Sequence, residues 1–436
     1  MAASRTPLFN IFWLVGERAA RIGITATVFA LVARHLQPEG FGQLNLAMTV
    51  TAILAALATL GLEGLVVHQL VREPHSVAAT LGTAWRLRVV GSAVAVLVLG
   101  GAAGLVPAWR ADFVPLVLAG ISLLFTPAEV IDLCFQRHLD SRRTVLMRLL
   151  ATLAGAGLRI ALIAAGGGVP AFAAVLIAEG GLLAVALFWS YRRSPYAVSP
   201  WIWNSALAAQ FLRRGLPLAL AGLLVALSLR LDQLIVTVWL GDHAAGVYFA
   251  AAKLIEVALL TGATFSLSLF PGLSEGHGLS AAMFTERVQA QFDAMSALGW
   301  SVALGSTLLA SWLIPLMYGP SYGAAAAVLV WKGWGALLAL NAAARWQYIL
   351  IAAPTWLNVA AALLGIGCQL ALTPLLLPRW GLEGAAAAWL VSLALSGFIT
   401  SFLFRPLRPI VVPQCRGLLI PFSPGRWPAM VAQFKS

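Results

Sequence analysis

The chain has 436 residues, of which 61% are hydrophobic and only 10% charged, and its mean hydropathy is +0.89. So few charges cannot make the surface of a soluble globule, so the composition places the chain in a bilayer as an all-α polytopic protein. The formal net charge of +12 does not indicate nucleic acid, because the basic residues sit in loops between apolar runs rather than in one patch.

Apolar length and punctuation predict about twelve spans: roughly 9–33, 43–66, 84–106, 113–135, 145–166, 169–191, 215–239, 246–270, 294–318, 323–350, 355–377 and 381–404. The first span follows a short basic N-terminus with no small-residue cleavage pattern, and is read as a retained span rather than a signal peptide. Between the sixth and seventh spans, WIWNSALAAQFLRRG (201–215) has the aromatic and basic residues of a short interfacial helix. The stretch 271–293 reads as a long polar loop. The segment after Phe404 carries Pro406, Pro409, Pro413, Pro421, Pro424 and Pro428 among arginines, and is expected to be poorly ordered. The domain organisation is therefore an N-terminal six-helix bundle (1–191), a cytoplasmic linker with the interfacial helix (192–214), a C-terminal six-helix bundle (215–404) and a cytoplasmic Pro/Arg-rich tail (405–436).

Charge asymmetry orients the spans. Arg72, Arg86, Arg88, Arg137, Arg142, Arg143, Arg192, Arg193, Arg213, Arg214, Arg405, Arg408 and Arg416 flank alternate loops, against only Arg34, Arg110 and Arg379 on the other side. The positive-inside rule then puts both termini in the cytoplasm, and the excess charge faces anionic lipid.

The two halves resemble each other. LQPEGFGQLNLAM (36–48) and LGDHAAGVYFAAAK (240–253) both join a first span to a second, with Gly42 matching Gly246 at an offset of 204. FQRHL (135–139) matches WQYIL (346–350), and GVPAFAA (168–174) matches GLEGAAA (381–387). Six spans per copy make the repeats parallel, the arrangement in which a substrate site lies between halves that rock against each other.

A charge at mid-membrane costs roughly 2.5–3.5 kcal/mol on insertion scales, so those present line a cavity or pair with each other. Span 1 carries Glu17, Arg18 and Arg21, and the i,i+4 spacing lets Glu17 meet Arg21. Arg230 and Asp232 in span 7 and Lys253 and Glu256 in span 8 reach a similar depth. Arg230 and Asp232 point to nearly opposite faces, while Lys253 and Glu256 can pair at i,i+3. Arg159, Glu179 and Lys332 read as lone charges within their spans. Arg86, Arg88, Arg148 and Arg345 lie near cytoplasmic ends, where long stems reach the headgroups, and Glu129 and Asp132 are placed to pair with nearby arginines. All six histidines fall at span ends or in loops, which argues against a histidine proton relay. Cys134, Cys368 and Cys415 have no metal or disulfide spacing, and no GxSxG, HExxH, P-loop or paired CxxC occurs. The reading is therefore of a non-enzyme with no metal and no cofactor beyond coupling to H⁺ or Na⁺.

Several motifs resemble the oligosaccharide and polysaccharide flippases of the multidrug/oligosaccharidyl-lipid/polysaccharide (MOP) exporter superfamily. ARHLQPEGFGQLNLAMTVTAILAALATLGLEGLVVHQLVRE (33–73) is similar to the family's opening block, with Gln37 where glycine is usual. LRRGLPLALAGLL (212–224) and LRLDQLIVTVWLGDHAAGVYFAAAKLIE (229–256) are similar to its mid-chain block, with R-G-x-P, a mid-span Asp and a G-x-Y-x-x-A turn. LMYGPSYGAA (316–325) resembles its YGPxY turn. The resemblance implies a MATE-like fold in a bacterial inner membrane and transport of undecaprenyl-pyrophosphate-linked glycan units to the periplasmic leaflet. Its partners would be the lipid-linked oligosaccharide, membrane lipids and a downstream polysaccharide polymerase. About twelve spans, rather than the two more expected of lipid II flippases, points away from the peptidoglycan precursor.

Under this reading Arg18, Arg21, Arg230, Lys253, Arg159 and Lys332 bind the pyrophosphate, since guanidinium groups are permanent, planar phosphate donors. Asp232, Glu256 and Glu17 couple transport to an ion, with periplasmic protonation expected to loosen the substrate. The alternative is an ion-coupled multidrug or small-solute exporter of the same superfamily. It would favour an acidic cavity, and here the deep cations outnumber the deep acids. A glycan polymerase would need a long external loop, which the spans do not leave.

Overall fold

The computed structural model describes residues 7–138 and 140–426, with the side chains of 7–22, 24, 141, 267–272, 274–279, 281 and 424 outside that description. The described residues contain helix and no strand. Nine of their helical stretches are long and apolar enough to cross a bilayer. Three of these, 25–72, 205–266 and 356–403, are 48, 62 and 48 residues long, against the roughly 20 that one crossing needs.

Each of the three contains a helix interrupted by one residue of non-helical backbone: Gln37 in α1 (Pro7–Ala58), Gly241 in α8 (Ser205–Leu279) and Gly381 in α11 (Trp356–Leu393). These are reversals. At 1.5 Å per residue, Phe29 and Phe41 would stand roughly 18 Å apart along a straight helix, yet their ring centroids are 6.5 Å apart. Asp232 accepts a hydrogen bond from Tyr248, and Gln369 donates to Ser392, 23 residues further on. The reversals coincide with the predicted junctions of spans 1 and 2, 7 and 8, and 11 and 12.

Gln37 (φ 58°, ψ 173°) and Gly241 (φ 78°, ψ −179°) share one backbone conformation and are separated by the same offset of 204 as Gly42 and Gly246. Only glycine enters this region without a Cβ penalty, which is about 1–3 kcal/mol for other residues. Gln37 recovers part of that cost through a 2.7 Å bond from Nε2 to Arg34 O. Gln37→Gly should therefore raise stability by about 1 kcal/mol, visible as a higher melting temperature in detergent. An unchanged or lower value would refute strain at this turn.

The chain divides into two compact units, 1–226 and 227–436. The first contains α1, α2 (Glu63–Arg72), α3 (Val77–Leu105), α4 (Phe113–Ile121), α5 (Val130–Arg137), α6 (Ser141–Ala164), α7 (Val169–Arg192) and the start of α8. Between α4 and α5 the fourth span tightens into 3₁₀ geometry over Ser122–Glu129, around Pro127. At the base of this unit Leu62, Leu70, Leu81, Phe135, Leu187 and Phe211 form one buried cluster. The R-G-x-P glycine has a direct purpose there: a Cβ on Gly215 would lie 2.5 Å from Leu60 O, so only glycine permits this backbone approach.

The structure revises three sequence expectations. Residues 205–215 are not a separate interfacial helix but the first turns of α8, capped where Asn204 Oδ1 accepts from Leu207 N at 3.0 Å. Trp201 instead turns inward against Trp85, Phe188 and Tyr191. The predicted polar loop 271–293 is mostly helix, because α8 runs to Leu279 and α9 (Ala281–Tyr318) starts two residues later. The break is at Ser280, whose side chain accepts from Met283 N at 3.2 Å. Low hydropathy here marks helix ends leaving the bilayer, not a loss of helix.

The described part of the tail, 405–426, is ordered. It forms α13 (Arg408–Leu418), with Leu407 and Ile410 buried in the second unit beside Phe292 and Met295. Gln414 Nε2 donates to Asn341 Oδ1 (2.7 Å) and Gly397 O (2.8 Å), and Trp300 Nε1 donates to Leu418 O (2.9 Å). Proline near its start costs the helix little, since first-turn N–H groups have no partner within the helix anyway. Besides these elements the second unit contains the rest of α8, α10 (Ala325–Ala352), α11 and the single turn α12 (Thr400–Leu403).

Candidate anion-binding and coupling site

In the second unit, the reversal at Gly241 folds the two limbs of α8 together. Arg230 and Asp232 on one limb are thereby brought beside Tyr248, Lys253 and Glu256 on the other. Two adjacent charge clusters result, and they differ in access.

The inner cluster is a closed pair. Asp232 is 0% exposed; its Oδ2 accepts from Lys332 Nζ at 2.6 Å and from the Tyr248 hydroxyl at 2.5 Å. Lys332 comes from α10 and is held between two aromatic faces, 4.3 Å from the Trp389 ring and 4.9 Å from the Tyr248 ring. A desolvated ammonium gains on the order of 2 kcal/mol from such a ring. The carboxylate and rings together compensate a charge that the bilayer interior would otherwise expel. Oδ1 of Asp232 and Nε1 of Trp389 have no hydrogen-bond partner.

The outer cluster is reachable. Glu256 shares its two oxygens, Oε1 with Arg230 Nη1 at 3.2 Å and Oε2 with Lys253 Nζ at 2.8 Å. The three side chains are each between 19 and 25% exposed. These three side chains sum to +1, Lys253 having a further contact besides Glu256, and guanidinium and ammonium donors in this setting suit an oxyanion.

The structure thus brings together five of the predicted site residues; Lys253 and Glu256 pair at i,i+3 as expected, and the other three have partners the sequence did not specify. Lys332 is not a lone charge, because it neutralises Asp232. Arg230, expected not to pair with Asp232, meets Glu256 across the hairpin. Arg159 and Glu179, also read as lone charges, are each other's partner in the first unit. Their bidentate contact has Nη1–Oε1 at 2.5 Å and Nη2–Oε2 at 2.9 Å, which commits Arg159 to joining α6 and α7. The side chains of Glu17, Arg18 and Arg21 lie outside the described residues.

Two arginines assigned to the headgroups are buried instead. Arg345 is 5% exposed and donates to Thr400 Oγ1 at 2.6 Å, and Arg88 is 1% exposed. Arg148 does lie near Glu129 and Asp132, at 3.7 and 3.4 Å. Sequence reasoning did not single out Tyr248 and Trp389; the G-x-Y-x-x-A turn was the available signal for Tyr248. Among the described residues no group of three His, Cys, Asp or Glu side chains is arranged to hold a metal.

The family model described as "Polysaccharide biosynthesis protein" matches residues 31–327. No curated protein sequence matches the chain. In structure the chain is similar to the lipid II flippase MurJ in its inward closed conformation, with a TM-score of 0.73 at 11% identity over 95% of this chain and 91% of that one. It is also similar to an inward-facing multidrug resistance MATE family transporter of the MOP superfamily, with a TM-score of 0.64 at 13% identity over 93% of this chain and 99% of that one. A third match is the Vibrio cholerae MATE transporter VcmN in its bent form, with a TM-score of 0.57 at 14% identity over 93% and 99%. At these identities the likeness establishes a shared fold.

Proposed function

The chain belongs to the polysaccharide biosynthesis protein family, and we propose that it is a flippase of lipid-linked oligosaccharides. It would carry undecaprenyl-pyrophosphate-linked repeat units from the cytoplasmic to the periplasmic leaflet of the bacterial inner membrane, by alternating access, for a downstream polymerase to assemble. The observation that supports this most is the reachable Arg230–Glu256–Lys253 cluster and its net positive charge. A pyrophosphate cannot cross hydrocarbon unaided, and two fixed cations offer it charge-assisted hydrogen bonds inside the bilayer. The drug-exporter alternative would have this charge reversed.

Coupling belongs to Glu256 in this reading, and not to Asp232, which Lys332 and Tyr248 close off. Protonating Glu256 takes a carboxylate away from Arg230 and Lys253 and raises the cluster from +1 to +2. Protonation therefore tightens the hold on pyrophosphate and deprotonation loosens it, the reverse of the sign expected from sequence.

The test uses vesicles containing the protein and a fluorescent undecaprenyl-pyrophosphate oligosaccharide, with a glycosidase added outside. Protein should let the enzyme reach the label of both leaflets; cleavage that stops at the outer-leaflet share in both cases would overturn the proposal. In the same system Glu256→Gln should bind substrate at least as tightly as the unmodified protein and lose the pH dependence of binding. Retained pH dependence in this variant would remove Glu256 from the coupling role.

A further inference from the structure

A polar cavity of about 580 Å³ is lined by residues of the first unit alone. Glu63 from α2, Arg88 from α3, Glu129 from the 3₁₀ turn, Asp132 and Gln136 from α5, and Arg148 from α6 line it. None of these residues belongs to the site described above.

The cavity holds charges that are only partly joined: Asp132 Oδ2 accepts from Gln136 Nε2 at 3.0 Å and, at the long distance of 3.4 Å, from Arg148 Nη2. Arg88 is 1% exposed, and its Nε and Nη2 have no hydrogen-bond partner. Its nearest carboxylate oxygen, on Glu63, is 3.7 Å from Nη2, beyond hydrogen-bond length. Arg148 Nε also has no partner, and its Nη2 stands 3.4 Å from Asp132 and 3.7 Å from Glu129. A buried guanidinium with unused donors costs several kcal/mol or more unless something accepts from it. The carboxylates, at these distances, do so weakly.

The charge balance narrows what would fit. A simple oxyanion would satisfy the two arginines but face three carboxylates. A metal ion would face two guanidinium groups, and no metal-holding cluster occurs among the described residues. A ligand with an anionic and a cationic end satisfies both sets. Arg72, Arg137, Arg142 and Arg143 sit at the ends of the same helices, so charge asymmetry places the cavity at the inner-leaflet headgroup level.

We propose that this cavity binds a phosphoethanolamine headgroup, with the phosphate on Arg88 and Arg148 and the primary ammonium among Glu63, Glu129 and Asp132. A bidentate phosphate fills the unused guanidinium donors, and an ammonium brings three N–H donors to the carboxylates. A choline headgroup has the same charges but no N–H donor, so the site discriminates against it. The inference goes beyond the flippase reading, since the ligand is a resident lipid and not cargo.

The test is native mass spectrometry of the full chain in detergent, with phosphatidylethanolamine, phosphatidylcholine and phosphatidylglycerol of identical acyl chains supplied together. Phosphatidylethanolamine should be retained about tenfold over phosphatidylcholine, the scale of one or two lost charge-assisted hydrogen bonds. Glu63 has a largely exposed side chain, so Glu63→Gln should fold normally. Combined with Glu129→Gln it should bring phosphatidylethanolamine down to the phosphatidylcholine level. Displacement by millimolar soluble phosphoethanolamine would assign the site to the free compound, and persistence of the lipid would assign it to the bilayer. Equal retention of the three lipids, a preference for phosphatidylglycerol, or a preference for phosphatidylethanolamine that survives both substitutions would overturn the proposal.

Discussion

Lys332→Met should destabilise the protein by about 3–5 kcal/mol, the usual cost of leaving one member of a buried ion pair uncompensated. Asp232 is 0% exposed, so water cannot replace the lost ammonium, and Tyr248 alone cannot neutralise a carboxylate. Methionine keeps the length of the stem and a favourable sulfur contact with the Trp389 ring, so the loss reads out charge rather than packing. The companion variant is decisive. Asp232→Asn combined with Lys332→Met removes both charges and should recover most of the stability, because a buried pair replaced by neutral groups is often close to neutral in energy. Melting curves of the two single variants and the double variant in one detergent measure the coupling. A single-variant loss below about 1 kcal/mol would show that the pair is not the closed unit described.

Arg230→Ala should reduce surface glycan more than tenfold while the protein inserts at its normal level. The two readouts separate because Glu256 keeps Lys253 at 2.8 Å when Arg230 is removed, so no carboxylate is stranded and the fold is spared. Export suffers because the cluster falls from +1 to neutral and the planar donor is lost. Two charge-assisted hydrogen bonds at roughly 1.5–3 kcal/mol each account for a tenfold or greater effect. Arg230→Lys should retain part of the export, since charge survives and bidentate geometry does not. Lectin staining of intact cells, with immunoblotting of membranes, gives both quantities. Normal glycan in both Arg230→Ala and Lys253→Met cells would sink the role of this cluster.

Span positions and the three tight junctions were legible in the sequence because hydropathy and turn residues act locally. So was the repeat: the turn at Gln37 has the geometry of its counterpart at Gly241, though a glutamine fills it. Beyond the i,i+3 pair Lys253–Glu256 and the arginine beside Glu129 and Asp132, what was not legible is which charge meets which. Asp232 and Lys332 are 100 residues apart, and no spacing rule links α8 to α10. Arg159 and Glu179 looked solitary for the same reason, since their meeting depends on how α6 lies against α7. Arg88 was misplaced by its distance from a helix end, a one-dimensional measure that ignores the pocket formed by α2, α5 and α6. The helical tail was hidden by its prolines; Pro409 falls in the first turn of α13, and Pro413, inside it, is carried by a helix whose burial against the second unit outweighs the lost bond.

The 100-residue separation of Asp232 from Lys332 also sets a timetable for biogenesis. At roughly 5–20 residues per second, a ribosome reaches Lys332 some 5–20 s after it has made Asp232. During that interval Tyr248, only 16 residues downstream, is the one of Asp232's two partners already made. The hairpin of α8 must therefore leave the ribosome with an unneutralised carboxylate and wait for α10 to deliver the ammonium. The second unit cannot lock helix by helix as it emerges; its assembly is completed by a late arrival.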